Sequence, residues 1–356
     1  MLLFILYDNL NAGDGMHIAI DKNSIKAVNN KNKYIYLFDN EPLEELLKLD
    51  THWIYYKNID FVDINLTDYD IDCYKKASIK DKDYDKLPEK KDFKIGIIVP
   101  NCNYEHTVEQ CLMSILNQTY TNYEIIFVDD CSTDDSVKIV SNLQNKYKGK
   151  IKIIELKQKR YNGGARNEAY LHLSDDVDYV WYVDSDDWLF DKKVLDKINK
   201  KLQTNPDVLF VGMASYMNGK TYTCFTPQYK DKYEAIKGWS GSCGKVIRKN
   251  LATAQKCLYN EGTLKEDRNQ HCKICIYMKS FALLKDPVYV WNRSNSKSVT
   301  TIRDEITWGT STIRHYADTK QLALSVKGQD AEIDRYLAER VRLCEQEVNE
   351  GKDRQW

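Results

Sequence analysis

Between Lys94 and Asp184, four apolar, β-branched runs alternate with stretches of helical spacing, and this leaves few folds open. Lys94–Pro100 (KIGIIVP), Glu124–Val128 (EIIFV), Ile151–Leu156 (IKIIEL) and Val177–Val183 (VDYVWYV) read as strands. Their length and continuous apolar character suit strands buried in a parallel sheet. Between the first two, Val108, Cys111, Leu112, Ile115 and Leu116 recur at helical spacing within Val108–Gln118. After the second, Ser132-Thr133-Asp134-Asp135 is suited to cap a helix over Ser136–Tyr147, with Val137, Val140 and Leu143 on its apolar face. Another helix is expected to begin over Asn167–Leu173. Strand and helix in this order predict an α/β fold with an open, mostly parallel sheet flanked by helices.

Such sheets bind ligands beyond the carboxyl ends of their strands. Three polar clusters fall there: Pro100–Tyr104, Asp129-Asp130 and Asp184–Asp187. The run VDSDDWL puts Asp184, Asp186 and Asp187 directly after a strand. Hard divalent ions such as Mn²⁺ or Mg²⁺ favour oxygen ligands and bind through one or two carboxylates plus a substrate phosphate. An ion held there would neutralise charge on a leaving nucleoside diphosphate. Asp130 is placed to accept a hydrogen bond from a nucleobase N–H, and the same acidic stretch also suits a helix N-cap.

Two further constellations are open to more than one reading. Asn162-Gly163-Gly164-Ala165-Arg166-Asn167 predicts a glycine turn entering a helix, either a plain turn or a close approach to an anion. Arg166 would then pair with a phosphate or with the acidic cluster. Glu266-Asp267, with His271 four residues on, is either a first-turn acidic pair favoured by the helix dipole or a general base with a histidine on its face. His271 would then orient that base or reach a metal ion as a ligand. Cys272 and Cys275 form a lone CxxC without the second pair that a zinc site needs, and read as buried helix residues. Trp188 and Trp239 offer stacking faces for sugar rings.

Residues 1–90 alternate short apolar runs (Leu2–Tyr7, Tyr34–Phe38, Trp53–Tyr56) with Asn/Asp/Lys-rich turns and predict a small β-rich or mixed module. The charged stretch Lys80–Lys91 is the expected linker, residues 91–302 the catalytic core, and 303–356 a helical C-terminal region. In the last, Ile333, Tyr336, Leu337, Val341, Leu343 and Val348 show helical spacing. No stretch nears the roughly 18 apolar residues of a membrane span. The start lacks a positive n-region and a cleavage site, and the cysteines are scattered, so reduced thiols and a cytoplasmic setting are expected. A formal net charge of −1 disfavours a general nucleic-acid coat.

The blocks IIVPNCNYEHTVEQCLMSILNQTY, IIFVDDCSTDDS, GGARN, YVDSDDWL and KEDRNQH, in this order, resemble the family 2 glycosyltransferases of the GT-A fold over roughly residues 94–300. The resemblance implies a non-processive, inverting enzyme that moves a sugar from a nucleoside-diphosphate sugar, most often a UDP-sugar, to a hydroxyl on a glycan, lipid-linked or protein acceptor. It implies that Pro100 and Asn103 line the nucleotide pocket, that Asp130 meets the base, and that Arg166 lies near the diphosphate. Asp184 and Asp186 would form the DxD motif, with Asp186 the direct ligand of Mn²⁺ or Mg²⁺. Asp267 would be the catalytic base. Trp291–Thr301 resembles a segment that closes over the donor phosphates, with Arg293 and Ser298 as contacts. Cys102 departs from the family's frequent Tyr, and Lys159 and Tyr161 from its Asn and Gly. No QxxRW block of processive synthases follows the acidic pair.

Two rival readings stand beside this one. A sugar transferase acting on a modified DNA base would use basic groups such as Lys245, Arg248 and Lys249. A non-catalytic sugar-nucleotide or carbohydrate-binding module would be expected to lose the metal or base carboxylates, and both sets are present. A nucleotidyltransferase would need a glycine-rich loop where this chain has PNCNYEH.

Overall fold

In the computed structural model, the described residues are four short strands within residues 2–38, together with 92–253, 257–261, 263, 265–294 and 305–350. The chain divides into two units: one of residues 1–78, 262–265 and 303–356, the other of 79–261 and 266–302.

The second unit is built on a nine-stranded sheet. Its first half is parallel and follows the sequence expectation: β5 (Ile95–Asn101), β6 (Tyr123–Asp129), β7 (Ile151–Glu155) and β8 (Tyr179–Tyr182) lie in the order β7-β6-β5-β8. Every residue of β5 is buried, as befits the centre of the sheet. The pleat sends Ile95, Ile97 and Val99 to one face, where they meet α1 (Val108–Leu116) and α2 (Ser136–Lys146) in one core cluster. The opposite face packs on α3 (Tyr161–Leu171), whose Ala165, Ala169 and Tyr170 are buried. Parallel register aligns Asn101, Asp129 and Glu155 side by side, so these strands end level with one another.

The other half is mixed. After β9 (Trp188–Leu189) and α4 (Val194–Leu202) come β10 (Val208–Met217) and β11 (Lys220–Phe225), then α5 (Lys232–Lys237) and a 3₁₀ turn at Ser242–Gly244. β12 (Lys245–Arg248) then inserts antiparallel between β8 and β10. Helices α6 (Lys249–Thr253) and α7 (Glu266–Tyr277) follow, and β13 (Phe281–Asn292) runs parallel to β10. Because β12 is reversed, its beginning, not its end, lies beside the carboxyl end of β8.

Sequence boundaries shift at α3. The helix starts at Tyr161, so Gly163 and Gly164 lie in its first turn and not in a preceding loop. A Cβ on Gly163 would come within 2.7 Å of Asn260 O, so the close approach that glycine permits is to the 259–261 segment of this same chain.

In the first unit β1 (Leu2–Leu6) pairs antiparallel with β4 (Tyr34–Phe38), and β2 (Met16–Asp21) with β3 (Ser24–Asn29). Its helices α8 (Glu305–Val326) and α9 (Ala331–Glu350) pack on each other. The buried stripe of α9 runs through Ile333, Leu337, Arg340, Cys344, Glu347 and Val348. Arg340 and Glu347 thus occupy positions that apolar spacing assigned to Val341 and Leu343, and Glu347 meets Lys265 at 3.4 Å. The Trp53–Tyr56 run and the Lys80–Lys91 linker lie outside the described residues. No helix among the described residues is long and apolar enough to cross a membrane.

Candidate active site

The carboxyl ends of β5 and β6 are tied together before any ligand is considered. Asn101 Nδ2 donates to Asp129 Oδ1 (2.9 Å) and to Ser132 Oγ (3.0 Å), and the Ser132 amide donates to Asp129 Oδ2 (2.8 Å). Asn103 adopts φ +61°, a conformation that asparagine tolerates. Its amide donates to Ser132 Oγ, and its Oδ1 accepts from the Thr133 amide at 2.7 Å. Asp129 is therefore part of the frame. Its neighbour Asp130 faces the start of α3, where Oδ1 accepts the Arg160 amide at 2.6 Å; burial raises its pKa against that bond. Lys159 Nζ lies 3.5 Å from Cys102 Sγ at the same spot. Pro100, Cys102, Asn103, Asp130 and Lys159 thus lie around the carboxyl ends of β5 and β6, with Pro100 buried in β5.

The second group is acidic and is organised by one guanidinium. Arg166 is only 2% exposed. Its Nη2 donates to Asp184 Oδ1 at 2.7 Å, and its Nη1 to Glu266 Oε1 at 2.7 Å and Asp267 Oδ1 at 3.5 Å. The guanidinium also lies 5.2 Å from the Tyr259 ring centroid, a cation–π distance. The strand-end Asp184 and the helix-start pair Glu266-Asp267 are thus brought to opposite sides of a single buried cation. Both Nη groups of Arg166 thus donate to carboxylates of the acidic cluster.

Asp187 is buried and held by Tyr289, whose hydroxyl donates to Oδ2 at 2.5 Å, and by the Asn292 amide, which donates to Oδ1 at 2.7 Å. The Tyr289 hydroxyl in turn accepts the Asp184 amide at 3.2 Å. Burial first, then the charges of Asp186 and Asp184, push the Asp187 carboxyl well above its ordinary range. Burial, with those three carboxylates added, also raises the Tyr104 hydroxyl, so Tyr104 borders the cluster. Glu266 is pushed up to about 7 by burial and then by Asp267, more than the Arg166 ion pair pulls it down. Arg293 follows Asn292 directly, and its guanidinium lies 5.1 Å from the Trp291 ring centroid. Ser298 lies outside the described residues. Trp239 packs against Trp291 at 5.8 Å, and Trp188 against Tyr216 at 5.3 Å.

The donor set fits a hard divalent cation. Asp184 and Asp186 supply carboxylate oxygens at a cluster whose mutual repulsion a cation would relieve. Among the described residues no group of three or more His, Cys, Asp or Glu side chains forms a protein-only metal site. The remaining ligands would be waters and substrate oxygens, the usual arrangement for Mg²⁺ at phosphates.

His271 does not join this group. It is fully buried one helical turn below Asp267, with Nε2–H donating to the Ala235 carbonyl at 2.9 Å and the Phe210 ring beside it. Burial lowers its pKa well below the ordinary value, with Lys245 and Arg268 adding to the shift. The α7 backbone turns this position onto α5, which corrects the expectation of a metal-directed histidine. Cys272 and Cys275 are buried and not in a disulfide.

Sequence reasoning overlooked Ser242, Tyr259 and Tyr289, and it named Lys245, with Arg248 and Lys249, only as basic groups for a DNA partner, whereas all three are buried. Ser242 Oγ hydrogen-bonds Asp267 Oδ1, and the Tyr259 hydroxyl donates to Ser242 Oγ at 2.7 Å. Lys245 Nζ donates to the Ser240 and Gly241 carbonyls, each at 2.8 Å.

Comparison with known proteins agrees with this architecture. The family model described as Glycosyl transferase family 2 matches residues 96–285. The poly(ribitol-phosphate) beta-N-acetylglucosaminyltransferase TarP of Staphylococcus aureus is 32% identical over 118 residues, covering 33% of this chain and 35% of that protein. The UDP-Glc:alpha-D-GlcNAc-diphosphoundecaprenol beta-1,3-glucosyltransferase WfgD of Escherichia coli is 28% identical over 145 residues, 41% of this chain and 55% of that protein. The chain thus spans about a third to a half of the length of these curated relatives. Among solved structures, residues 1–349 of S. aureus TarS in complex with UDP-GlcNAc superpose with a TM-score of 0.59 at 24% identity, over 72% of this chain and 74% of that one. The likeness is one of fold, and the fold is the GT-A type.

Proposed function

This chain belongs to glycosyl transferase family 2, and from that premise we propose that it moves a sugar from a UDP-sugar to a hydroxyl of a glycan or lipid-linked acceptor, with inversion. The observation that carries the reading is the shared cation: Arg166 holds Asp184, Glu266 and Asp267 within reach of one another. A donor carboxylate and a candidate base on two sides of one crevice are what an in-line displacement at a sugar carbon needs. The relatives named for poly(ribitol-phosphate) and diphosphoundecaprenol acceptors support the acceptor class, and the UDP-GlcNAc of the TarS neighbour supports the donor.

In this reading Asp130, Asn103 and Pro100 border the nucleoside, and Asp184 and Asp186 face the diphosphate and hold Mn²⁺ or Mg²⁺. A divalent ion bound there supplies charge neutralisation for the leaving diphosphate. Asp267 takes the proton of the acceptor hydroxyl as its oxygen attacks the anomeric carbon. The new C–O bond forms on the face opposite the breaking bond to the diphosphate, UDP leaves with the bonding pair, and the configuration inverts. Asp267 suits this task because its side chain is 37% exposed while its Oδ1 is already held. Residues 91–302 would carry the whole of this chemistry. Asp186→Ala tests the donor side. It should abolish metal-dependent UDP release from UDP-sugars without lowering the melting temperature, and wild-type turnover in that variant would remove the assignment.

A further inference from the structure

We propose that Ser242 is a positioning residue that holds Asp267 in the orientation to take the acceptor proton, with Tyr259 fixing Ser242 in turn; this deepens, and rests on, the reading of Asp267 as the base. Ser242 is 2% exposed and lies 25 residues before Asp267 in the chain, on the 3₁₀ turn that leads into β12. Its single hydroxyl proton faces the carboxylate oxygen Oδ1 of Asp267, an acceptor. Ser242 must therefore donate to Asp267, and its oxygen accepts from the Tyr259 hydroxyl at 2.7 Å. The direction of the relay is thus fixed: Tyr259 to Ser242 to Asp267. Burial pushes the Tyr259 hydroxyl well above its ordinary pKa, so it keeps the proton that it donates.

The relay is anchored at both ends. Tyr259 is held by its amide, which donates to Asn167 Oδ1 at 3.0 Å, and by its carbonyl, which accepts from Asn167 Nδ2 at 2.9 Å. Its ring edge meets Tyr182 and its face meets the Arg166 guanidinium. On the other side, the fully buried Lys245 clamps the Ser240 and Gly241 carbonyls immediately before Ser242. Arg166 and Ser242 both reach Oδ1 of Asp267. The Ser242 bond to Oδ1 restrains rotation of the carboxylate about its χ2 and leaves Oδ2 for the acceptor hydroxyl. Without Ser242 the 3.5 Å contact to Arg166 is the remaining restraint on Oδ1, too long for a firm hydrogen bond.

The test measures UDP release from UDP-N-acetylglucosamine with water as the acceptor, in wild type, Ser242→Ala, Ser242→Thr, Tyr259→Phe and Asp267→Asn. Ser242→Ala should lower kcat roughly 10- to 100-fold, the size of one lost hydrogen bond to a charged group, and leave the donor KM within about twofold. Ser242→Thr should recover most of kcat, because it keeps the hydroxyl. Tyr259→Phe should lower kcat by a smaller factor, about 3- to 10-fold, and serves as the readout if Ser242→Ala does not fold. Wild-type kcat in Ser242→Ala or in folded Tyr259→Phe, alongside an inactive Asp267→Asn, overturns the positioning role and leaves the base assignment standing. A rise in donor KM at unchanged kcat also overturns it. Wild-type turnover in Asp267→Asn removes the base itself, which is a different failure.

Discussion

The two halves of the large sheet contribute to the crevice in opposite ways. In the parallel half, β6, β5 and β8 deliver their polar groups at or just past their carboxyl ends: Asn101 pairs in register with Asp129, and Asp184–Asp187 follow the end of β8. In the mixed half, the reversed β12 delivers Ser242 just before its start, and β13 delivers Tyr289 from within the strand. The first half therefore builds a nucleotide-facing edge from local chain. The second supplies groups that hold the acids in place, 102 residues along the chain for Tyr289 to Asp187 and 25 for Ser242 to Asp267. The difference teaches that the strand-end acids are displayed by one half and held from both, by Arg166 of α3 and by Tyr289 of β13.

Substitutions can break that division of labour. The largest expected effect is on chemistry at the junction: Asp267→Asn should cut kcat by about 10²- to 10⁴-fold, the range for loss of a general base, while UDP binding measured by calorimetry is kept. Loss of UDP affinity with little change in kcat would make Asp267 a binding residue instead. Next is the support from β13. Tyr289→Phe leaves the Asp184 amide and the buried Asp187 without this hydroxyl, and should lower stability by about 1–3 kcal/mol in urea unfolding and weaken UDP binding. Unchanged values would show that the mixed half does not orient the motif.

The seam between α3 and the 259–261 segment gives a comparable or smaller effect. Gly163→Ala places a Cβ 2.7 Å from Asn260 O and 3.2 Å from Tyr259 Cβ, so it should cost about 1–3 kcal/mol in the melting curve through overpacking. If the glycine instead served a ligand, stability would hold and only UDP affinity would fall.

The smallest effect is one of pH. Burial and Asp267 raise Glu266 to about 7 in the folded protein, so its protonated form is favoured there. The stability linked to that protonation is fully present below the ordinary Glu value and is lost as pH rises through about 7. Glu266→Gln removes this titration. The melting temperature of wild type should therefore fall relative to the variant between pH 5 and pH 8 in a buffer series, and parallel curves would contradict the buried-acid account.

The parallel half was legible because its signals are local. A β-branched run followed at once by an acid is visible in the order of residues, and VWYVDSDDWL carries strand and motif together. The rule that ligands lie past the carboxyl ends of strands singled out the ends of β5, β6 and β8, and β12 was not read as a strand at all. That strand is antiparallel, so Gly241-Ser242-Cys243 precedes it, and nothing in KVIR announces its direction. His271 was misplaced for a related reason. Spacing of four put it on the Asp267 face of α7, but burial under α5 decided what that face meets one turn on. The glycines of GGARN carried a conformational signal whose partner, the 259–261 segment, lies about a hundred residues away. Arg340 and Glu347 show the same limit in α9, where charged residues occupy the buried stripe.

The measurement that tests the central claim most directly is calorimetric binding of UDP, GDP, CDP and TDP, each with and without Mn²⁺, to wild type and to Asp186→Ala. The account predicts Mn²⁺-dependent binding of UDP above the others in wild type, and loss of the Mn²⁺ dependence in the variant. Equal binding of UDP with and without Mn²⁺, or binding that survives unchanged in Asp186→Ala, would contradict it.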